Sequence, residues 1–365
     1  MDESFKRNIE YVFNNFFSEE EIEQVLSDIN GLSHPIFDIV NPYCYDSSSN
    51  NGFTRENVRL AFNIIINKNS EWLNKIKKRL TNNTDYSQPS SALGELRCYG
   101  YLLDAFTEYD VNAISTSSSP TPDFSVTNKD EIVEIEVNTP QMNGEERKEL
   151  EQFNNQQKSA ANNKFCIREH VTTPFGRKNA KCVAENVIHK ITSIKEGETQ
   201  FSKKNCSILW VDLQDSHMNF INDRCRSSCP IFTGKGYSSM EDYFSNELWY
   251  ATYASKGTPI FESVNLSEGI SVKELPKVTY DGRFCKKRKS IVDAIIFSLP
   301  HNTIIYENPY AKHKIPEWFI ETVQNVRWFS YQGSKLNFPD HILRKQLRID
   351  RKIIASLSKK ALKHW

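Results

Sequence analysis

The segment that most constrains the fold is Ile132-Val133-Glu134-Ile135-Glu136-Val137-Asn138, a strict alternation of apolar and polar side chains. Successive side chains of a strand point to opposite faces. The pattern therefore predicts a strand with Val133, Ile135 and Val137 in a core and Glu134, Glu136 and Asn138 on the other side. Ahead of it stand a helical run from Ala92 to Phe106, which carries Glu95, and the short segment Pro122-Asp123-Phe124. Thr127-Asn128-Lys129-Asp130 has turn residues and predicts that the Asp123 segment and the alternating strand pair as a hairpin. Such a hairpin brings Asp123 toward Glu134 and Glu136. Carboxylates so placed repel one another unless a cation lies between them, and a set of oxygen donors suits a hard divalent ion. Taken by itself, the alternation also describes a half-buried strand with a solvated acidic face.

At these residues the chain resembles the PD-(D/E)xK nuclease superfamily, whose restriction-endonuclease-like core runs helix, three strands, helix, strand. The resemblance covers roughly residues 90 to 310 and implies an α/β (α+β) fold, a mixed sheet flanked by helices. It implies Glu95 as the helix carboxylate, Asp123 as the first motif acid and Glu136 or Glu134 as the second. Asp123, Glu134 and Glu136 would then be the ligands of Mg²⁺ or Mn²⁺. The family pattern ends acid-x-Lys, whereas here Glu136-Val137 is followed by Asn138, so Asn138 stands at the lysine position. Some active restriction endonucleases resemble Glu134-x-Glu136 in replacing the lysine by an acid, and loss of the lysine is also how inactive relatives look. The implied activity is metal-dependent hydrolysis of DNA phosphodiesters, with Glu95, Asp123, Glu134, Glu136 and Asn138 as its site. A homodimer is the implied arrangement for cutting both strands. The alternative is a nuclease-like module without catalysis that binds nucleic acid or a protein.

The formal net charge is zero and 25% of the residues are charged, the balance of an ordinary water-soluble chain. No apolar run approaches the roughly 18 residues of a membrane span, and Met1 to Lys6 lacks an apolar secretory core, so the expectation is a cytoplasmic protein with no membrane partner. The eight cysteines contain no CxxC pair and are expected as reduced thiols. Cys225 and Cys229, with His217 upstream, lack the second pair that a structural zinc site would use. The overall neutrality hides an asymmetry. From Arg283 to Trp365 there are 17 Lys and Arg against 6 Asp and Glu, an excess matched by a deficit in the rest of the chain. This suits either a polyanion-binding face or a basic tail docked on an acidic body. Within it Lys286, Lys287, Arg288 and Lys289 form a run of adjacent cations whose partner is a phosphate backbone or solvent.

Three regions are expected: a helical N-terminal subdomain over residues 1–85, a nuclease-like core over 86–338, and a basic C-terminal helix over 339–365. Ser18-Glu19-Glu20-Glu21 is a capping-box start, Thr54 is placed as the cap of a second helix, and Ser70 to Leu80 reads as a third. Strands are expected at Tyr109 to Ser115, Cys206 to Leu213, Ile291 to Leu299 and Thr303 to Tyr306, with Cys206 to Leu213 buried on both faces. The polar segment Gly144 to Asn163 reads as an exposed helix or a mobile insertion. Asn179 to Lys195 reads as the helix after the alternating strand. There Lys178, Lys181, Lys190 or Gln200 stand as candidates to replace the missing motif lysine, against the plainer reading of surface lysines on an amphipathic helix.

Overall fold

The computed structural model describes residues 15–26, 34–36, 50–114, 121–160, 183–195, 201–215, 231–232, 243–244, 247–258, 260, 276–300 and 302–324. Its helices are α1 (Glu19–Leu26), α2 (Asn50–Leu80), α3 (Ser87–Ala105), α4 (Gly144–Ala160), α5 (Val183–Thr192), α6 (Glu247–Tyr253) and α7 (Glu317–Gln324). Its strands are β1 (Asp110–Ala113), β2 (Phe124–Asn128), β3 (Glu131–Asn138), β4 (Cys206–Asp212), β5 (Ile231–Phe232), β6 (Tyr243–Phe244), β7 (Ala294–Leu299) and β8 (Asn302–Glu307). The basic segment 339–365, the cysteine pair Cys225 and Cys229, and Lys178, Lys181 and Gln200 lie outside the described residues.

Six strands form one mixed open sheet in the order β1-β2-β3-β4-β7-β8, and β5 pairs with β6 separately. The first three strands are an antiparallel meander, β4 and β7 run parallel to β3, and β8 returns antiparallel to β7. This is an α+β architecture with a mixed open sheet, the coarse class that was expected. The expected hairpin is present: Asn128 stands opposite Glu131, and Lys129 takes a left-handed φ of 53° to complete the reversal.

Alternate residues of β4, β7 and β8 feed two separate cores, one on each face of the sheet. Val133, Ile135 and Val137 join Ile208, Trp210, Ala294, Ile296 and Ile305 beneath α2 and α3. Leu209, Val211, Ile295, Phe297, Ile304 and Tyr306 pack with Val187, Ile188 and Ile191 of α5 and with Leu248, Tyr250 and Ala251 of α6. All seven residues of β4 are buried, as expected for a strand whose apolar run is continuous. The α6 segment, rich in aromatic residues, is core.

The helix boundaries follow local chemistry. At α1 the capping box forms in both directions: Ser18 N–H donates to Glu21 Oε2 at 2.8 Å and Glu21 N–H to Ser18 Oγ at 3.2 Å. The cap expected at Thr54 does not form. The helix already runs from Asn50, and Thr54 Oγ1 donates instead to the Gln214 carbonyl at 3.0 Å, a tertiary bond that no local rule predicts. The expected start at Ser70 corresponds to a kink inside α2. There Asn69 leaves helical geometry (φ −154°, ψ 67°) and its Oδ1 accepts the N–H of Trp72 at 3.2 Å, so an internal N-cap restarts the helix. The strand expected from Ile291 begins only at Ala294. Before it, the Asp293 backbone still bonds to both sides, its N–H donating to the Ser207 carbonyl at 2.8 Å and its carbonyl accepting Asn308 N–H at 2.9 Å, while its carboxylate accepts the Ser207 and His313 amides at 2.9 and 3.0 Å.

Candidate carboxylate site at the start of β2

Aromatic packing places the site. Tyr99 of α3 stacks on Phe124 of β2 with ring centroids 5.0 Å apart and planes 8° from parallel, and Trp72 of α2 meets Tyr99 edge-on at 4.7 Å. Asn69 Nδ2 donates to the Tyr99 hydroxyl at 2.8 Å. Glu95 lies four residues before Tyr99, on the same stripe of α3. Asp123 immediately precedes Phe124. The stack that anchors Phe124 therefore brings the helix carboxylate and the strand carboxylate to the same end of β2.

Asp123 is bound into the β3 edge. Its N–H donates to the Ile135 carbonyl at 3.0 Å, its carbonyl accepts from Ile114 N–H at 2.8 Å, and its Oδ2 accepts the backbone N–H of Val137 at 2.8 Å. The Glu136 carboxyl lies close enough to it to favour its charged form. Burial, and next the negative charge of Glu95, push the Asp123 pKa up from 3.8 to about 7; the Val137 amide, Glu136 and the Arg79 charge pull it back. Carboxyls crowded together in a partly desolvated place resist being ionised together, as the effect of Glu95 on Asp123 shows, and this is the condition that a divalent cation relieves.

The remaining expected site residues divide. Glu95 is held by Arg79 of α2 in a two-pronged ion pair, Nη2 to Oε1 at 2.6 Å and Nη1 to Oε2 at 2.8 Å. Glu134 is drawn away from the pair: Ser202 N–H and Asn205 Nδ2 donate to its two oxygens, each at 2.7 Å. It clamps the segment leading into β4. The expectation that Glu134 and Glu136 converge fails locally, because that segment supplies donors to one and not the other. Asn138 ends β3, half-buried, beside Val211 of β4.

The candidate cations also divide. Lys190 on α5 is half-buried with Glu146 of α4 as the negative charge acting on it, and burial lowers its pKa. Lys286, Lys287 and Lys289 are exposed in the turn before β7, and Arg288 Nη1 donates to the Asp281 carbonyl at 3.3 Å. Because β3 and β7 both run parallel to β4, that turn lies at the end of the sheet where β3 begins, whereas Asp123 meets the last residues of β3. Among the described residues, the cation whose charge acts on Asp123 is Arg79, for which periodicity gave no signal: it stands in the last turn of a helix, where basic residues are common.

Among the described residues no group of three or more His, Cys, Asp or Glu side chains is assembled to hold a metal ion. The donors in place are two, Asp123 and Glu136. That set does not make an all-protein cage, but it fits Mg²⁺, which keeps much of its water and is held by one or two carboxylates. Among the described residues no helix is long and apolar enough to cross a membrane. In comparison with known proteins, no family model, no curated protein and no solved structure matches this chain.

Proposed function

We propose that the chain is a metal-dependent phosphodiesterase acting on DNA, with its site at Asp123 and Glu136 and a restriction-endonuclease-like core. The observation that carries the reading is the contact of Asp123 with Glu136 at the last residues of β3, next to the helix carboxylate Glu95. The element order supports it: α3, then the meander β1 to β3, then α4 and α5, then parallel β4.

In this reading Asp123 and Glu136 hold Mg²⁺ or Mn²⁺. When bound, the ion supplies a lowered pKa for a water ligand and neutralises charge on the scissile phosphate. Asp123 is aimed by the Val137 amide, which keeps one of its oxygens oriented before any ligand arrives. Glu136, half-buried, would take a proton from an attacking water where it is not itself a direct ligand, the task that lysine has in the family pattern. Glu95, tied to Arg79, would complete the shell or orient that water from the helix side.

A second reading, a module that binds nucleic acid without cleaving it, draws on Asn138 at the lysine position and on the ion pair that neutralises Glu95. Incubation of supercoiled plasmid, linear duplex and single-stranded DNA with Mg²⁺ or Mn²⁺ separates the two. Metal-dependent nicking that is lost in both Asp123→Ala and Glu136→Ala supports the enzyme. A folded wild type that binds DNA, binds no metal by calorimetry and cleaves nothing establishes the module.

A further inference from the structure

We infer that Arg79 is the phosphate-binding cation of this site, with the backbone phosphate of a nucleic acid as its ligand, in place of the lysine that Asn138 replaces. The inference rests on the phosphodiester reading above and deepens it.

The argument is one of charge and geometry. A phosphate entering beside Asp123, Glu95 and Glu136 meets three acidic side chains and is repelled unless a cation faces it. The β3 position that carries this charge in the family pattern is neutral here. Arg79 is the cation whose charge acts on Asp123, and it also binds Glu95 directly. Its guanidinium has five N–H donors in a flat fork. Glu95 takes two of them, and a long contact of 3.4 Å to Ser91 Oγ takes a third. Nε–H and one Nη1–H remain, on opposite edges of the plane, so a phosphate oxygen can take one of them together with the charge.

Exposure sets the direction of approach. The Arg79 side chain is 39% exposed while that of Glu95 is 13% exposed, so solvent, and a ligand arriving from it, has more access to the arginine than to the carboxylate that holds it. Lys78, its exposed neighbour at the end of α2, adds positive charge at the same helix terminus. An arginine held from behind by a carboxylate is pre-organised: the ordering cost of its long side chain is already met before the phosphate binds. The helix macrodipole accounts for cations in the last turn of α2 in general. It does not account for the reach of Arg79 to Glu95 on another helix.

The test is duplex DNA binding by the full chain, followed by fluorescence anisotropy in EDTA over a series of salt concentrations, so that the readout needs no metal and no turnover. Arg79→Gln is expected to weaken binding about tenfold and to lower the slope of log affinity against log salt by about one. Arg79→Lys is expected to keep the slope, since the charge stays, and to lose part of the affinity with the fork. Arg79→Gln strips Glu95 of its counter-ion, so the double variant Arg79→Gln/Glu95→Gln is the control. The same loss of slope in the double variant supports a direct phosphate contact. Recovery to the wild-type slope and affinity shows that Arg79 only neutralised Glu95, and overturns the inference. A wild type that binds and cleaves DNA, with Arg79→Gln unchanged in slope, overturns the inference and leaves the phosphodiester reading standing. A wild type that binds no duplex overturns both.

Discussion

Asp123 Oδ2 accepts the backbone N–H of Val137 at 2.8 Å, so the first acid of the proposed site is locked to the residue that follows the second, Glu136. The lock holds a carboxyl group where burial and Glu95 oppose its charge, with a pKa of about 7 in place of 3.8. Between those two values the folded chain retains a proton that the unfolded chain has released. Stability from this group therefore falls as pH rises from 3.8 to about 7 and is level above. Asp123→Asn keeps an acceptor for Val137 and removes the charge. It is expected to raise stability at pH 8, with the gain shrinking toward pH 4. Urea midpoints of both proteins at pH 8 and pH 4.5 check this, and an Asn variant weaker than wild type at pH 8 contradicts it.

Glu134 and Glu136, two residues apart on one strand, are expected to behave differently. Glu134→Ala removes the acceptor for Ser202 N–H and Asn205 Nδ2 and should cost about 1–3 kcal/mol of stability, with Mn²⁺ affinity retained. Glu136→Ala should leave stability nearly unchanged and abolish Mn²⁺ binding. Calorimetric titration and thermal melts of the two variants, side by side, decide the assignment. Loss of metal binding in Glu134→Ala would return that residue to the site.

Beneath α3, Arg97 is fully buried in an ion pair with Asp212 at the end of β4 and reaches Asp215 at 3.1 Å. Ser90 Oγ also donates to Asp215. The cluster fills the end of the core next to Thr139. Arg97→Met strands two buried carboxylates and should destabilise the fold by about 3–5 kcal/mol. Arg97→Met combined with Asp212→Leu and Asp215→Asn should recover most of the loss, because the uncompensated charges go with it. A single variant that melts like wild type refutes the role assigned to the cluster.

His34 is buried at 2% exposure, with Nε2 2.9 Å from the Asn82 carbonyl and Nδ1 accepting Ile36 N–H at 3.2 Å, bonds that suit the neutral ring. Burial lowers its pKa from 6.5 to about 4, against the pull of the Asn82 carbonyl. Here the unfolded chain binds the extra proton, so stability is full above 6.5 and is lost as pH falls toward about 4. His34→Gln, uncharged throughout, is expected to flatten that part of the stability profile. An unaltered slope between pH 6.5 and pH 4 in the variant would assign the acid sensitivity elsewhere.

The gross architecture was legible because its signals are periodic. The alternation in β3, the continuous apolar run of β4, the Thr127–Asp130 turn and the Ser18–Glu21 capping box each reflect neighbours within a few residues of one another. What failed was tertiary. Thr54 has the side chain of an N-cap, but Gln214 lies within reach and takes its hydroxyl. Gly94 carries no pattern that marks it as special. The fold explains it by close approach: a Cβ there would run into Thr139 Oγ1 and sit 3.3 Å from Asp212 Cβ.

By itself, then, the sequence determined that a strand would present Glu134, Glu136 and Asn138 away from the apolar face, and that Asp123 would lie across a hairpin from them. Strand alternation and turn preference act over a few bonds and survive in any context. Only the tertiary structure decided which carboxylates meet: Glu136 joins Asp123, the residues before β4 claim Glu134, and Arg79 arrives from α2 to hold Glu95. Those choices depend on donors brought from far along the chain, and no local periodicity records where they will be.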